Sequence, residues 1–140
     1  MFRKNSPHLQ IPPTGHVDEL PEFLPERLRN SWAETFYREF FCRLDEQPFD
    51  VLYAEEPSRP NVAVNVLVGL EFLKAAKGWA DEEMYNEFCY NVQVRYALGY
   101  RPLGEGYFDL RTLYDFRERL ARHMQERGET CWSKPLSRFR

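Results

Sequence analysis

A chain of 140 residues with 43% apolar and 16% aromatic side chains is long enough to bury a core and too apolar to remain unfolded. Its 19 basic and 22 acidic groups leave a net charge of −3, which excludes a uniformly cationic nucleic-acid packer. The charge is unevenly divided. Residues 111–140 carry eight basic and four acidic groups, a local +4, against 11 and 18 over the first 110 residues, a local −7. Such asymmetry marks the C-terminal end as a candidate contact for a polyanion.

Residues 1–29 read as an irregular arm. Pro7, Pro12, Pro13 and Gly15 interrupt regular structure, and Pro21 and Pro25 allow only a short turn around Phe23–Leu28. A helical domain over 30–128 follows. Ser31, with Glu34 three residues later, has the form of a capping box, and Trp32, Phe36, Tyr37, Phe40, Phe41 and Leu44 continue at helical spacing. Pro48 opens a short helical stretch with Phe49, Leu52 and Tyr53 turned inward, and residues 55–60 form a turn. No breaker occurs from Asn61 to Lys77, so a helix is expected there, with Gly78 as its stop. Its β-branched residues also suit a strand pair. As a helix it is apolar all round except near Asn65, Glu71 and Lys74, and so belongs in the centre of the domain.

Asp81, Glu82 and Glu83 place acids at the positive end of a third main helix, whose apolar face is Met84, Tyr85, Phe88 and Cys89. Asn91 can cap a further helix through Leu98, stopped by Gly99. Two helices meeting at so tight a turn are compatible with helix-turn-helix geometry. Pro102, Gly104 and Gly106 set a loop, Asp109 can cap a final helix from Leu110 to Arg127 ahead of Gly128, and 129–140 form a short basic tail. No strand alternation is convincing. The predicted fold is all-α, a compact multi-helix domain with a helix-turn-helix-like C-terminal half.

Several classes of chemistry lack their residues. No apolar run approaches the length of a transmembrane helix, and the N-terminus lacks the apolar stretch of a signal peptide. Cys42, Cys89 and Cys131 are far apart and odd in number, which suits a reducing cytoplasm rather than a disulfide framework; Cys42 and Cys89 sit in apolar helical patterns and read as inert core thiols. His8, His16 and His123 have no metal-ligand spacing, and no glycine-rich phosphate loop lies between a strand and a helix. No metal site, cofactor or catalytic triad is therefore expected.

The last helix is the most informative. At about 100° per residue, Leu110, Leu113, Tyr114, Phe116, Leu120, Ala121 and Met124 share one broad face. Arg111, Thr112, Arg119 and Arg122 lie opposite, with Asp115 and Glu118. Four such side chains can supply phosphate contacts and one or two base contacts, with Arg111 and Thr112 in the first turn suited to base reading. The same face also reads as a solvated one laced by i,i+4 pairs, Arg111–Asp115 and Glu118–Arg122. Arg117 points into the apolar face and Arg95 lies among Val92, Val94, Tyr96 and Leu98. Each is a structural buried charge that needs a partner, for which Glu71 is one candidate.

Four ordered blocks carry a resemblance: the run from Phe49 to Glu71 (FDVLYAEEPSRPNVAVNVLVGLE), Gly78 to Glu83 (GWADEE), Gln93 to Arg101 (QVRYALGYR) and Arg111 to Leu120 (RTLYDFRERL). Together, over about residues 30–128, the chain resembles the N-terminal, InsH-type domain of insertion-sequence transposases. The resemblance implies a helical, DNA-associated domain placed before a DDE catalytic domain that uses three carboxylates to hold two divalent metals. A chain stopping at Arg140 has no room for that second domain, so a truncated element is expected. The expected function is the transposon-end recognition module of a transposase, binding double-stranded DNA and not an enzyme on its own. The alternative is a helical interaction module that self-associates or pairs with full-length transposase as an inhibitor. An exposed patch formed by Phe36, Tyr37, Phe40 and Phe41 would favour that alternative.

Overall fold

A computed structural model provides the fold; it describes residues 2–5, 21–53, 62–100 and 106–127. Most of the arm, the turn at 55–60, the glycine-proline loop at 101–105 and the tail with Cys131 lie outside the described residues. Within them the regular elements are α1 (Phe23–Arg29), α2 (Trp32–Thr35), α3 (Val64–Lys77), α4 (Asp81–Tyr90), α5 (Val92–Ala97) and α6 (Leu110–Arg127), with shorter helical turns at Phe36–Phe40, Phe41–Arg43 and Gln47–Leu52. There is no strand among the described residues. The fold is all-α, and α3 resolves the helix-or-strand ambiguity in favour of the helix. Two compact units divide the chain: residues 1–5, 44–68 and 108–140 form one, and residues 6–43 and 69–107 the other.

In the second unit Ser31 caps α2. Its Oγ accepts from the Ala33 amide at 3.3 Å and donates to the Leu28 carbonyl at 2.7 Å, tying α2 to α1. The capping box expected from Glu34 gives way to a tertiary contact: the Glu34 carboxylate accepts from the Tyr96 hydroxyl and lies 3.4 Å from Arg38 Nε. The single helix expected over 32–44 changes pitch twice, widening to a π turn at Phe36–Phe40 and tightening to a 3-10 turn at Phe41–Arg43. Within this stretch Phe36 stacks on Phe40 at 4.9 Å, Tyr37 on Phe41 at 6.1 Å, and Phe40 meets Phe72 at 4.7 Å. Tyr37 and Phe41 are buried, and Phe36 and Phe40 half-buried. Cys42 and Cys89, expected as core thiols, are also only half-buried.

Asn91 alone joins α4 to α5. Its Oδ1 accepts from the Gln93 and Val94 amides at 2.9 and 3.3 Å, and its Nδ2 donates to Glu87 at 2.6 Å. α5 ends in a Schellman closure, with Tyr100 N–H donating to the Arg95 carbonyl and Gly99 N–H to that of Tyr96. Four consecutive residues of this short helix, Val94 to Ala97, are buried. One of them is Arg95, 1% exposed. Its Nη1 donates to the Phe88 carbonyl at 3.3 Å, and its guanidinium lies 5.2, 4.8 and 4.3 Å from the rings of Phe88, Tyr100 and Tyr107. Burying a guanidinium is costly, and the negative faces of aromatic rings return part of what water supplied.

The first unit packs the Gln47–Leu52 turn, with Pro48 at its start, against α6. Phe49 is fully buried and meets Phe116 at 5.9 Å; Leu113 and Leu120 complete the seam. Asp109 caps α6, its Oδ1 accepting from the Arg111 amide at 2.8 Å. The buried face of α6 is narrower than its apolar face, because Tyr114 and Met124 remain 44% and 43% exposed. Arg117 consequently rides at the edge of the seam, half-buried, with its guanidinium 5.7 Å from the Tyr114 ring. Glu71 is half-buried as well. Arg117 and Glu71, expected as buried charges, are thus only partly buried.

Two glycines differ in a way that mutation should expose. Gly78, with φ +71, closes α3 and has open space where a Cβ would stand; Gly106, with φ +78, lies so close to Tyr100 that a Cβ would overlap its ring. Gly78→Ala should cost only the left-handed strain, about 1–2 kcal/mol. Gly106→Ala should cost more, because it must also displace a ring that covers Arg95. Urea denaturation of both variants measures this, and an equal or smaller loss at Gly106 contradicts it.

Candidate nucleic-acid interface

The outward face of α6 begins at the Asp109 cap. Arg111 is exposed in the first turn and makes no ion pair among the described residues, so the expected pairing with Asp115 is not formed there. Thr112 beside it is half-buried. Arg122 pairs with Glu118 at 2.9 Å, both side chains well exposed at 63% and 68%. Such an i,i+4 pair is worth a few tenths of a kcal/mol, and a phosphate can displace it readily.

Arg119 is placed differently from the other three. Although exposed, its Nη1 donates to the Leu52 carbonyl at 3.4 Å, and its guanidinium lies 5.0 Å from the Tyr53 ring. It clamps α6 to the end of the Gln47–Leu52 turn. Of the four side chains grouped by the helical wheel, Arg111, Thr112 and Arg122 remain turned outward or at the rim, and Arg119 is already engaged.

Beneath that clamp lies a polar cluster with no counterpart in any sequence motif. Glu46 is 6% exposed. One carboxylate oxygen accepts from the Asn5 amide at 2.8 Å and the other from the Asn65 amide at 3.1 Å; Asn5 Nδ2 donates to Asn65 Oδ1 at 2.9 Å. The residue before α3 is Ala63, which has no capping side chain, so Glu46 caps α3 from a distance and sets a negative charge at its positive end. Burial pushes the Glu46 carboxyl above its ordinary value; the two amides and the charge of Lys4 oppose this, while Asp45 adds to it. Tyr53 completes the cluster, its ring 5.8 Å from that of Phe2 and 5.0 Å from the Arg119 guanidinium. Burial raises the Tyr53 phenol above its ordinary value, Arg119 pulls it down, and Glu46 raises it. The sequence signal for this cluster is Asn65, a polar residue in the first turn of a largely apolar helix.

Among the described residues no group of three or more His, Cys, Asp or Glu side chains could hold a metal ion, and no helix is long and apolar enough to cross a membrane. The family defined as Transposase domain (DUF772) matches residues 25–119, which run from within α1 to the middle of α6. The chain belongs to this transposase-domain family. Comparisons with curated proteins and with solved structures give no match.

Because the Glu46 carboxyl is held above its unfolded value, folding favours its protonated form. Its contribution to stability is fully present below the unfolded value of 4.5 and is lost as pH rises through the folded value. Glu46→Gln cannot ionise and gives up one of the two amide contacts. Relative to that variant, the wild type should therefore lose stability as pH rises from 4.5. Denaturation of both proteins across this range provides the check; a constant difference between them would contradict it.

Proposed function

We propose that this chain is the DNA-recognition module of a transposase and contacts duplex DNA through the outward face of α6. The observation that carries the reading is Arg111, exposed on the first turn of a helix whose opposite face is anchored by Leu113, Phe116 and Leu120. A helix that enters the major groove by its N-terminus brings first-turn side chains to the base edges, and arginine there can bond bidentately to guanine. Thr112 and Arg122 suit phosphate contacts, with Arg122 exchanging Glu118 for a phosphate.

The corner between α4 and α5 gives less to this role. Of the six residues in α5 four are buried, and a recognition helix needs an outward face. Membership in the transposase-domain family favours transposon-end DNA as the target. In this reading the module positions DNA, and strand chemistry belongs to a metal-carboxylate site elsewhere in a transposase. The alternative, pairing with itself or with full-length transposase, would be favoured by an exposed patch at Phe36, Tyr37, Phe40 and Phe41. Those rings are buried or half-buried and stack on one another.

The purified chain should bind a terminal-inverted-repeat duplex more tightly than a scrambled one, with affinity falling as salt rises. Arg111→Ala should weaken binding to the repeat by about 1–3 kcal/mol through loss of a base contact. Absence of any salt-dependent DNA binding at low ionic strength would overturn the reading.

A further inference from the structure

We propose that Asp115 sets base preference together with Arg111, an assignment that rests on the DNA reading of α6. Arg111 reads a guanine, and Asp115 accepts a hydrogen bond from the exocyclic amine of a cytosine in the neighbouring base pair. Asp115 follows Arg111 by four residues, so it lies about 6 Å further along the helix and about 40° round it, on the same outward face. Both side chains are exposed. The Asp109 cap holds the Arg111 amide at 2.8 Å and fixes where this face begins.

The two charges have ion-pair spacing, yet no ion pair joins them among the described residues. Further along α6, Glu118 and Arg122 have the same spacing and do pair, at 2.9 Å. Their order in the chain separates the two cases. An acid placed four residues before its base agrees with the helix dipole, and a base placed before its acid opposes it. Arg111 and Asp115 stand in the unfavourable order. Each therefore keeps its hydrogen-bonding capacity for another molecule.

A carboxylate on a surface that meets DNA costs affinity unless it finds a donor. It can only accept, and phosphate oxygens, guanine O6 and N7 and thymine O4 are acceptors as well. The donors in the major groove are the N4 amine of cytosine and the N6 amine of adenine. Adenine sets its amine beside the N7 acceptor, which repels a carboxylate; cytosine carries no such acceptor on its own edge. Arg111 has the opposite requirement and takes O6 and N7 of guanine. Residues three or four apart on a helix in the groove reach successive bases. The pair therefore reads two neighbouring G·C pairs, one through an acceptor edge and one through a donor edge. Repulsion between Asp115 and phosphate also penalises every other register, so the carboxylate contributes discrimination rather than affinity.

The experiment selects bound duplexes from a library with a randomised core, reads them by sequencing, and then measures fluorescence anisotropy on the selected duplex and a scrambled one. Four proteins are compared: the wild type, Arg111→Ala, Asp115→Ala and Asp115→Asn, each checked for helicity by circular dichroism. The wild type should select two neighbouring G·C pairs. Arg111→Ala should relax one of them and Asp115→Ala the other, with discrimination at the second falling about tenfold. Asp115→Ala should also bind the scrambled duplex more tightly than the wild type does, because a charge that phosphates repel is gone. Asparagine both donates and accepts, which matches adenine, so Asp115→Asn should turn that position from cytosine to adenine. A base preference identical in the wild type and Asp115→Ala overturns the assignment, and so does an equal loss of affinity on every duplex. A wild type that binds DNA without base preference overturns it as well. A wild type that binds no duplex overturns the DNA reading of α6 itself, a result distinct from those three.

Discussion

The carboxylate of Glu46 connects segments that the chain keeps far apart. It accepts one amide from a residue 41 positions earlier and another from a residue 19 positions later. A charge this deeply buried is tolerated only when hydrogen bonds replace its water, and here the replacements are backbone amides at fixed positions. The start of α3, the N-terminal residues and the turn after Leu44 are thereby held in one arrangement. Tyr53 and Arg119 extend it to α6, so that helix is oriented by the same cluster.

The second unit meets the same constraint with the opposite charge. Arg95 lies inside it, bonded to the Phe88 carbonyl and surrounded by the rings of Phe88, Tyr100 and Tyr107. A guanidinium is the cation best suited to this place, because its flat and weakly hydrated faces stack on rings. The close approach of Gly106 to Tyr100 belongs to the same assembly. A side chain there would push away a ring that Arg95 requires.

The elements that were legible in the sequence were those with local causes. Asn91, Gly99 and Asp109 end or begin helices through bonds to residues within five positions of themselves, Gly78 ends α3 through its left-handed backbone, and all four stand where sequence reasoning places them. The seam of α6 was legible as a helical period, though broader than the one that is buried: Tyr114 and Met124 share the period and remain exposed. The errors lie where a distant residue competes for a local partner. Glu34 has capping-box spacing, yet its carboxylate is taken by Tyr96, 62 residues away. Arg119 stands on the outward face by its angle on the wheel, yet its guanidinium is drawn to the Leu52 carbonyl, 67 residues away. Neither Tyr96 nor Leu52 carries any sequence mark of that partnership.

The sequence by itself determined the all-α class, the ends of the later helices and the segregation of positive charge toward α6, because capping, periodicity and charge count depend on near neighbours in the chain. The motif blocks likewise resemble a transposase domain, and the family match agrees with that. Only the tertiary structure decided which charges are buried, which arginine of α6 reaches the Leu52 carbonyl, and how Glu46 joins residues 2–5 to the start of α3. Those outcomes depend on which polar groups meet when distant segments pack. A buried donor or acceptor must take whatever partner the packing brings within reach, whatever its distance along the chain.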